Sequence, residues 1–343
     1  MKIAFLNIYN GKVERGSEVF VGELAARLFP QHEVTVFQTG NTNDAKYNIK
    51  KIQGIPYIKS QNFFYHLSVL LFTLKCLPTI FHGDFDWIIP VNGRFQAIIC
   101  RIIRFIKHSK ILITGHAGVG FEDRFNIIAG NPDVFIALSP KAFTWAKNYS
   151  RKVKYIPNGV DIDKFNPSIK PAKIDLAAPI IFCNSALLPY KRVDLTIRAV
   201  SQLKKASLLL VGVGEQKSDL VSLGIKLLGK RFLYIPYIPH DQIASYYRSS
   251  SIFTQVSRES EAFGLVYLEA LACNIPIVAP NDINRKEIIG QAGLYCDPEN
   301  IKEYAHSLNQ ALDTKWYDKP RSQAEKFSWL KIVKQYEKIM ERT

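Results

Sequence analysis

Twice along this chain a short apolar strand runs into a glycine-containing loop, the loop into a helix, and the helix into another strand. The first instance is the strand Lys2–Asn7, a loop through Gly11 and Gly16, a helix from about Glu18 to Phe29 and the strand Glu33–Gln38. The second is the strand Pro179–Asn184, the loop Ser185–Asp194, a helix towards Leu203 and the strand Ser207–Val211, closed by Gly212-Val213-Gly214. This order is the opening of a doubly wound α/β sheet, which binds ligands outside the carboxyl ends of its strands. Two such openings in 343 residues predict two sheet domains, each long enough to bury its own core. Further strands are expected at Trp87–Val91, Ile111–Thr114, Val134–Leu138, Phe232–Ile238, Ile252–Val256 and Pro276–Pro280, with helices opening at Ser139-Pro140 and spanning Asp241–Arg248. Between the halves, Pro157, Asn158-Gly159 and Pro167 punctuate the stretch Tyr155–Pro167 as a boundary, placing the domains at residues 1–160 and 161–327.

The stretch with the most chemistry in it runs from Arg258 to Ala279 and reads as loop, helix and buried strand. Gly264 stands where the helix opens, so the free amides of Leu265 and Val266 and the positive end of the helix dipole form a seat for an anion. Two carboxylates, Glu261 in the loop and Glu269 a turn inside the helix, flank that seat. The pairing makes sense for a ligand with both phosphates and hydroxyls, because carboxylates accept from sugar hydroxyls while the helix end holds phosphate. Without such a ligand, both would simply be solvated charges. In the first domain, Gly16-Ser17 lets the backbone come close to a phosphate, or is an ordinary turn. His116, in Gly115-His116-Ala117-Gly118 at the carboxyl end of a strand, points into a ligand crevice. The other histidines, including His32 and His240, have no comparable setting. Lys191 and Arg192 stand at a helix start, where a lysine supplies compact positive charge for a diphosphate; Arg192 also reads as a surface residue.

Glu261 and Glu269 resemble the Glu-x7-Glu signature of glycosyltransferase family 4, retaining enzymes of the GT-B fold with two Rossmann-like domains facing across a cleft. Pro157-Asn158-Gly159-Val160-Asp161 resembles that family's hinge, and Val211-Gly212-Val213-Gly214 its Val-Gly-x-Gly turn. The sequence departs from the pattern at Ala186, where an arginine usually joins the lysine, and at Asn281–Glu287, which replaces a glycine-rich turn. The resemblance implies that Glu261 holds sugar hydroxyls, Glu269 ribose hydroxyls and His116 the donor sugar. Gly16, Ser17, Lys191, Arg192, Gly264, Leu265 and Val266 would lie along the donor, and a C-terminal helix at 328–343 would cross back to the first domain. It further implies transfer of a hexose from a UDP- or GDP-linked sugar by front-side displacement, without cofactor or metal, to a glycan or lipid-linked acceptor in cell-surface polysaccharide or glycolipid assembly. A sugar-nucleotide 2-epimerase shares the architecture, and a basic nucleic-acid- or membrane-binding protein without transferase activity would account for the charge; the carboxylate pair argues against nucleic acid as partner.

That charge is +15, from 45 basic and 30 acidic residues, and such an excess favours an anionic partner. Residues 45–121 hold ten basic residues against only Asp84 and Asp86. Within them Ile99, Ile102, Ile103 and Ile106 share one helical face and Arg101, Arg104 and His108 another, either an amphipathic helix for anionic lipid or a core stripe with a solvated basic face. The core reading is the expected one, leaving the basic face to attract a membrane. His66, Lys75 and Pro78 interrupt the apolar run Phe63–Phe81, so no unbroken membrane span is expected there. Asp84-Phe85-Asp86 imitates a metal-binding Asp-x-Asp but reads as turn chemistry before a strand. Five scattered cysteines without a Cys-x-x-Cys pair, and an N-terminus too short in apolar residues for a secretion signal, predict a cytoplasmic protein, peripheral on the inner membrane face if it binds lipid.

Overall fold

The computed structural model describes residues 1–13, 15–43, 45–58, 62–258 and 262–343. The chain divides into two units, one made of Met1–Asn158 with Trp329–Thr343, the other of Gly159–Ser328.

In the first unit the elements run β1 (Lys2–Leu6), α1 (Gly16–Leu28), β2 (Glu33–Gln38), β3 (Asn48–Lys51), α2 (Phe63–Gly83), β4 (Trp87–Pro90), α3 (Phe95–Lys107), β5 (Lys110–Gly115), α4 (Phe121–Ile128), β6 (Val134–Ala137), α5 (Pro140–Ala146) and β7 (Val153–Tyr155). The sheet is parallel throughout, in the order β3-β2-β1-β4-β5-β6-β7. From β1 the chain winds outward to β3, then returns past β1 to β4, so the direction reverses between β1 and β4. Right-handed crossovers therefore put α1 on one face and α2 to α5 on the other. Beneath the second group lies a core that includes Leu6, Ile88, Ile111, Phe72, Cys100, Ile103 and Ala142.

α2 corrects one expectation. Pro78 does not break it: the apolar run forms one continuous helix of 21 residues, long and apolar enough by length and composition to cross a membrane. Its inner face, with Tyr65, Val69, Phe72, Cys76 and Ile80, is packed into the core, whereas Phe63 (72% exposed), Phe64, Leu67, Leu71 and Leu74 face outward. α3 corrects another. Of the expected isoleucine stripe Ile103 is buried and Ile99 packs at the core's edge, but Ile102 and Ile106 are 54% and 59% exposed, beside an equally exposed Phe105. The basic face is committed rather than solvated: Arg101 donates to the carbonyl of Ala129 (3.1 Å), and Arg104 to that of Asn131 (2.8 Å) and to Asp133 (3.2 Å). These carbonyls follow the end of α4, where cations complement the helix dipole.

The second unit runs β8 (Ile180–Asn184), α6 (Val193–Ser201), β9 (Ser207–Val211), α7 (Lys217–Leu228), β10 (Phe232–Ile235), α8 (Ile243–Arg248), β11 (Ile252–Thr254), α9 (Leu265–Ala272), β12 (Ile277–Pro280), α10 (Ile283–Ile289), β13 (Gly293–Cys296), α11 (Ile301–Asp313) and α12 (Lys319–Ala324). Its parallel sheet has the order β10-β9-β8-β11-β12-β13, reversing between β8 and β11. α6, α7 and α11 cover one face over Ile181, Val200, Leu208, Leu220 and Leu308, while α8, α10 and α12 gather round α9 on the other. α9 is apolar on all sides apart from Glu269, as befits a buried helix. The last helix, α13 (Trp329–Arg342), belongs to the first unit, where its buried Trp329 and Tyr336 lie 6.1 and 6.0 Å from the ring of Phe20 on α1.

Candidate active site

In an open parallel sheet the loops on either side of the reversal splay apart and leave a crevice. In the second unit these are the loops after β8 and β11. Gly212, after β9, has φ +146°, and a Cβ there would lie 1.8 Å from the carbonyl oxygen of Ser185; one on Gly214 would lie 2.2 Å from that of Leu187. Glycines at these positions let the neighbouring loop lie directly on their backbone. The loop after β8 then makes a short 3-10 turn, Pro189–Lys191, that buries Lys191 beside the ring of Tyr190 at 5.3 Å. The lysine's charge opposes the burial that pushes the thiol of Cys183, in β8, up to about 12.

Across the reversal, Gln255 donates to Ser185 Oγ (3.1 Å), and Arg258 N–H to the carbonyl of Tyr190 (2.9 Å), binding the two loops together. α9 opens behind Gly264, whose backbone (φ 99°, ψ 67°) favours glycine and which brings no side chain to cap the first amides. Among the described residues, no side chain caps the amides of Leu265 and Val266 at this helix start. Glu269 follows one turn on. Its buried carboxylate accepts from the hydroxyl of Tyr247 (Oε2, 2.8 Å) and from Nε2 of His240 (Oε1, 3.2 Å). Lys191, Gly264, Leu265, Val266 and Glu269 thus share one sheet end; Glu261 lies outside the described residues.

Arg192 has a different task from the one expected. Its Nε donates to the carbonyl of Val256 (2.8 Å), its Nη2 to that of Ser257 (3.4 Å), and its Nη1 pairs with Glu299 (3.2 Å), so the guanidinium grips protein rather than standing open to phosphate. A second arginine, which the sequence reading passed over, grips the same place. Arg285, 0% exposed on α10, donates to Ser257 Oγ (2.9 Å) and to the carbonyls of Ser257 (3.4 Å) and Arg258 (3.3 Å), and pairs with Asp282 (3.2 Å). The two guanidinium groups hold residues 256–258, the segment that precedes Glu261 in the chain. His240, whose sequence setting sets it apart in no way, is brought to Glu269 by the fold alone.

In the first unit the reversal lies between β1 and β4, whose loops are joined by the Ile8 N–H donating to Asn92 Oδ1 (2.9 Å). Gly16 and Ser17 open α1 there, but Ser17 Oγ donates to the carboxylate of Glu18 (2.9 Å). Glu18 is buried and its carboxyl is held above the usual range by desolvation, against the pull of Arg15. A carboxylate at that mouth leaves it less of an anion seat than the glycine alone suggests. His116 follows β5 and packs edge-on against Phe20 of α1 at 4.7 Å, which brings it beside the helix that Gly16 and Ser17 open. Desolvation pushes its pKa down to about 4, so the ring is neutral at physiological pH. Among the described residues its Nε2 is buried without a hydrogen-bond partner. Beneath the same loop lies Asp123, pushed up to about 7 by burial, although the amides of Gly118 and Ala117 and the side chain of Asn126 favour its charge. Asp84 and Asp86 have structural partners: Asp84 pairs with Lys107 (2.7 Å), and Asp86 accepts from the amide of Lys2 (2.7 Å).

Residues 15–164 match the family model described as Glycosyltransferase Family 4, and residues 165–327 the one described as Glycosyl transferases group 1. The GDP-mannose-dependent monoacylated alpha-(1-6)-phosphatidylinositol monomannoside mannosyltransferase of Corynebacterium glutamicum is 29% identical over 185 residues, 47% of this chain and 47% of that protein. The chain thus spans about half the length of that relative. A glycosyltransferase of Haemophilus influenzae is 25% identical over 364 residues, covering 99% of both. HepE of Anabaena, solved in complex with UDP and glucose, has the same fold, with a TM-score of 0.79 at 19% identity over 100% of each chain.

Proposed function

Because the chain belongs to glycosyltransferase family 4, we propose that it transfers a hexose from a UDP- or GDP-linked sugar to a glycan or lipid-linked acceptor, retaining the anomeric configuration. One observation carries this reading: at the reversal of the second sheet, a helix start behind a glycine, a buried lysine and a buried carboxylate share one rim. A diphosphate suits the first two and ribose hydroxyls the third. In front-side displacement the leaving diphosphate oxygen takes the acceptor's proton as the glycosidic bond breaks, so no protein nucleophile is needed. The protein's contribution is then to stabilise charge on the leaving group, through Lys191 and the amides of Leu265 and Val266. Glu261 takes the hydroxyls of the sugar. No metal is required in this scheme.

A thermal-shift screen with UDP-, GDP- and ADP-sugars tests the donor, since a ligand selective for the folded state raises its melting temperature. Glu269→Ala is expected to weaken nucleotide binding and Glu261→Ala to depress turnover; wild-type behaviour in both variants removes the assignment. Epimerised donor formed without transfer would point to the 2-epimerase instead.

The outward faces of α2 and α3 support a peripheral place on the cytoplasmic leaflet. Phe63, Phe64, Leu67 and Leu71 on one helix and Ile102, Phe105 and Ile106 on the other are exposed, and neither helix holds an acidic residue. The surplus of basic residues over 45–121 favours an anionic surface, and lipid also covers the exposed apolar side chains of both helices. The inner residues of α2 are locked into the core, so the helix lies on a membrane rather than through it. Co-sedimentation with phosphatidylglycerol vesicles, weak with phosphatidylcholine and lost in Phe64→Ser/Phe105→Ser, is the expected result; equal pelleting of that variant refutes it.

A further inference from the structure

Glu269 does not stand alone in its apolar helix. A line of side chains from four separate segments ends on it: Lys164 Nζ lies 2.7 Å from His240 Nδ1, His240 Nε2 3.2 Å from Glu269 Oε1, and the Tyr247 hydroxyl 2.8 Å from Oε2. Asn184, at the end of β8, donates in turn to Tyr247. Phe165 packs edge-on against both His240 (5.6 Å) and Tyr247 (6.2 Å), so neither ring is free to swing.

The donors and acceptors along this line fix the proton positions. An ammonium group offers only protons, so Nδ1 of His240 contributes its lone pair to Lys164 and the ring's proton sits on Nε2, aimed at Glu269. Tyr247 has received a hydrogen bond from Asn184 and gives its own proton to the other carboxylate oxygen. A carboxylate has about four acceptor positions. Two are thereby taken by protein groups of fixed orientation, and the two that remain are held in place for a ligand.

We infer that His240 is a positioning residue for the nucleotide: locked by Lys164 as the Nε2–H tautomer, it acts with Tyr247 to orient Glu269 so that its open acceptor positions meet a vicinal pair of ribose hydroxyls. This rests on the reading of Glu269 as the ribose-binding carboxylate. A freely rotating carboxylate would have to be ordered on every binding event, and one oriented in advance avoids that entropy.

The test uses the full chain, with UDP and GDP as calorimetric probes and nitrogen-15 spectra of the histidine rings. His240→Ala is expected to weaken nucleotide binding by roughly tenfold, as for a lost hydrogen bond to a charged group. His240→Gln, whose amide reaches Glu269 in place of Nε2, is expected to recover most of that affinity. In turnover the alanine variant raises donor KM with kcat almost unchanged, a division that general loosening of the fold would not produce. In the free wild-type protein His240 shows the pure Nε2–H tautomer, and Lys164→Met makes it a mixture. A mixed tautomer in the wild type overturns the inference, as does wild-type affinity in His240→Ala alongside weakened binding in Glu269→Ala. If Glu269→Ala itself binds nucleotide normally, the underlying site reading fails instead.

Discussion

Replacing Arg285 with methionine keeps most of the side chain's length and removes its charge. The guanidinium is fully buried, its pair Asp282 nearly so, and it also donates to Ser257 Oγ and to two backbone carbonyls. Breaking a buried pair by removing one partner costs about 3–5 kcal/mol, because the remaining charge stays desolvated. Asp282 keeps some support, since its Oδ1 still caps α10 by accepting from the amides of residues 284 and 285 at 3.0 Å each. The expected loss is therefore near the lower bound, ~3 kcal/mol. With a urea slope of roughly 2–3 kcal/mol/M, the midpoint for the second unit should fall by about 1 M. Adding Asp282→Asn removes the stranded charge and should recover part of the loss, a coupling that a double-mutant cycle reads directly. Glu299→Gln, at the exposed end of the Arg192 pair, should cost under ~0.5 kcal/mol. A midpoint for Arg285→Met within about 0.3 M of wild type, or no recovery in the double variant, would refute the buried-pair reasoning.

Gly212→Ala puts a methyl group 1.8 Å from the Ser185 carbonyl at φ +146°, so strain and overpacking together should cost about 3 kcal/mol and lower the melting temperature by roughly 10 °C; a fall under ~2 °C contradicts it. Asp123 has a folded-state pKa of about 7, above its unfolded value of 3.8, so its contribution is fully present below pH 3.8 and declines as pH rises towards 7. Asp123→Asn should therefore gain on wild type across that window, by up to about 4 kcal/mol, and run parallel to it above pH 7; a stability difference independent of pH rules this out. Tyr247→Phe removes the donor to Glu269 Oε2 and should cost about 1–2 kcal/mol in urea titration, with unchanged stability as the contrary result.

Strands such as β4, β9 and β12 were legible because burial on both faces of a parallel sheet demands an apolar run between turns. β3, with the sequence Asn-Ile-Lys-Lys, carries no such run, since an exposed edge strand needs none. The glycine behind α9 and the carboxylate inside it could be read because helix starts have local rules. The outward isoleucines of α3 could not be separated from its core residues: Ile102 and Ile103 are neighbours in sequence, and only packing distinguishes them. Lys164, His240 and Glu269 come from segments of unlike pattern, and Arg285 looks like any surface arginine until Asp282 and the Ser257 carbonyl surround it. Contacts between distant loops leave no periodicity to find.

The helix that covers Phe20 of α1 is encoded after the whole of the other unit. A ribosome therefore delivers the first sheet before, and this covering helix after, the whole of the other unit. Until translation reaches Trp329 and Tyr336, Phe20 of α1 lacks those two rings, while the later-encoded unit already has every residue it needs. The first unit can complete its packing only after the second has been made, which prolongs the exposure of apolar surface during synthesis.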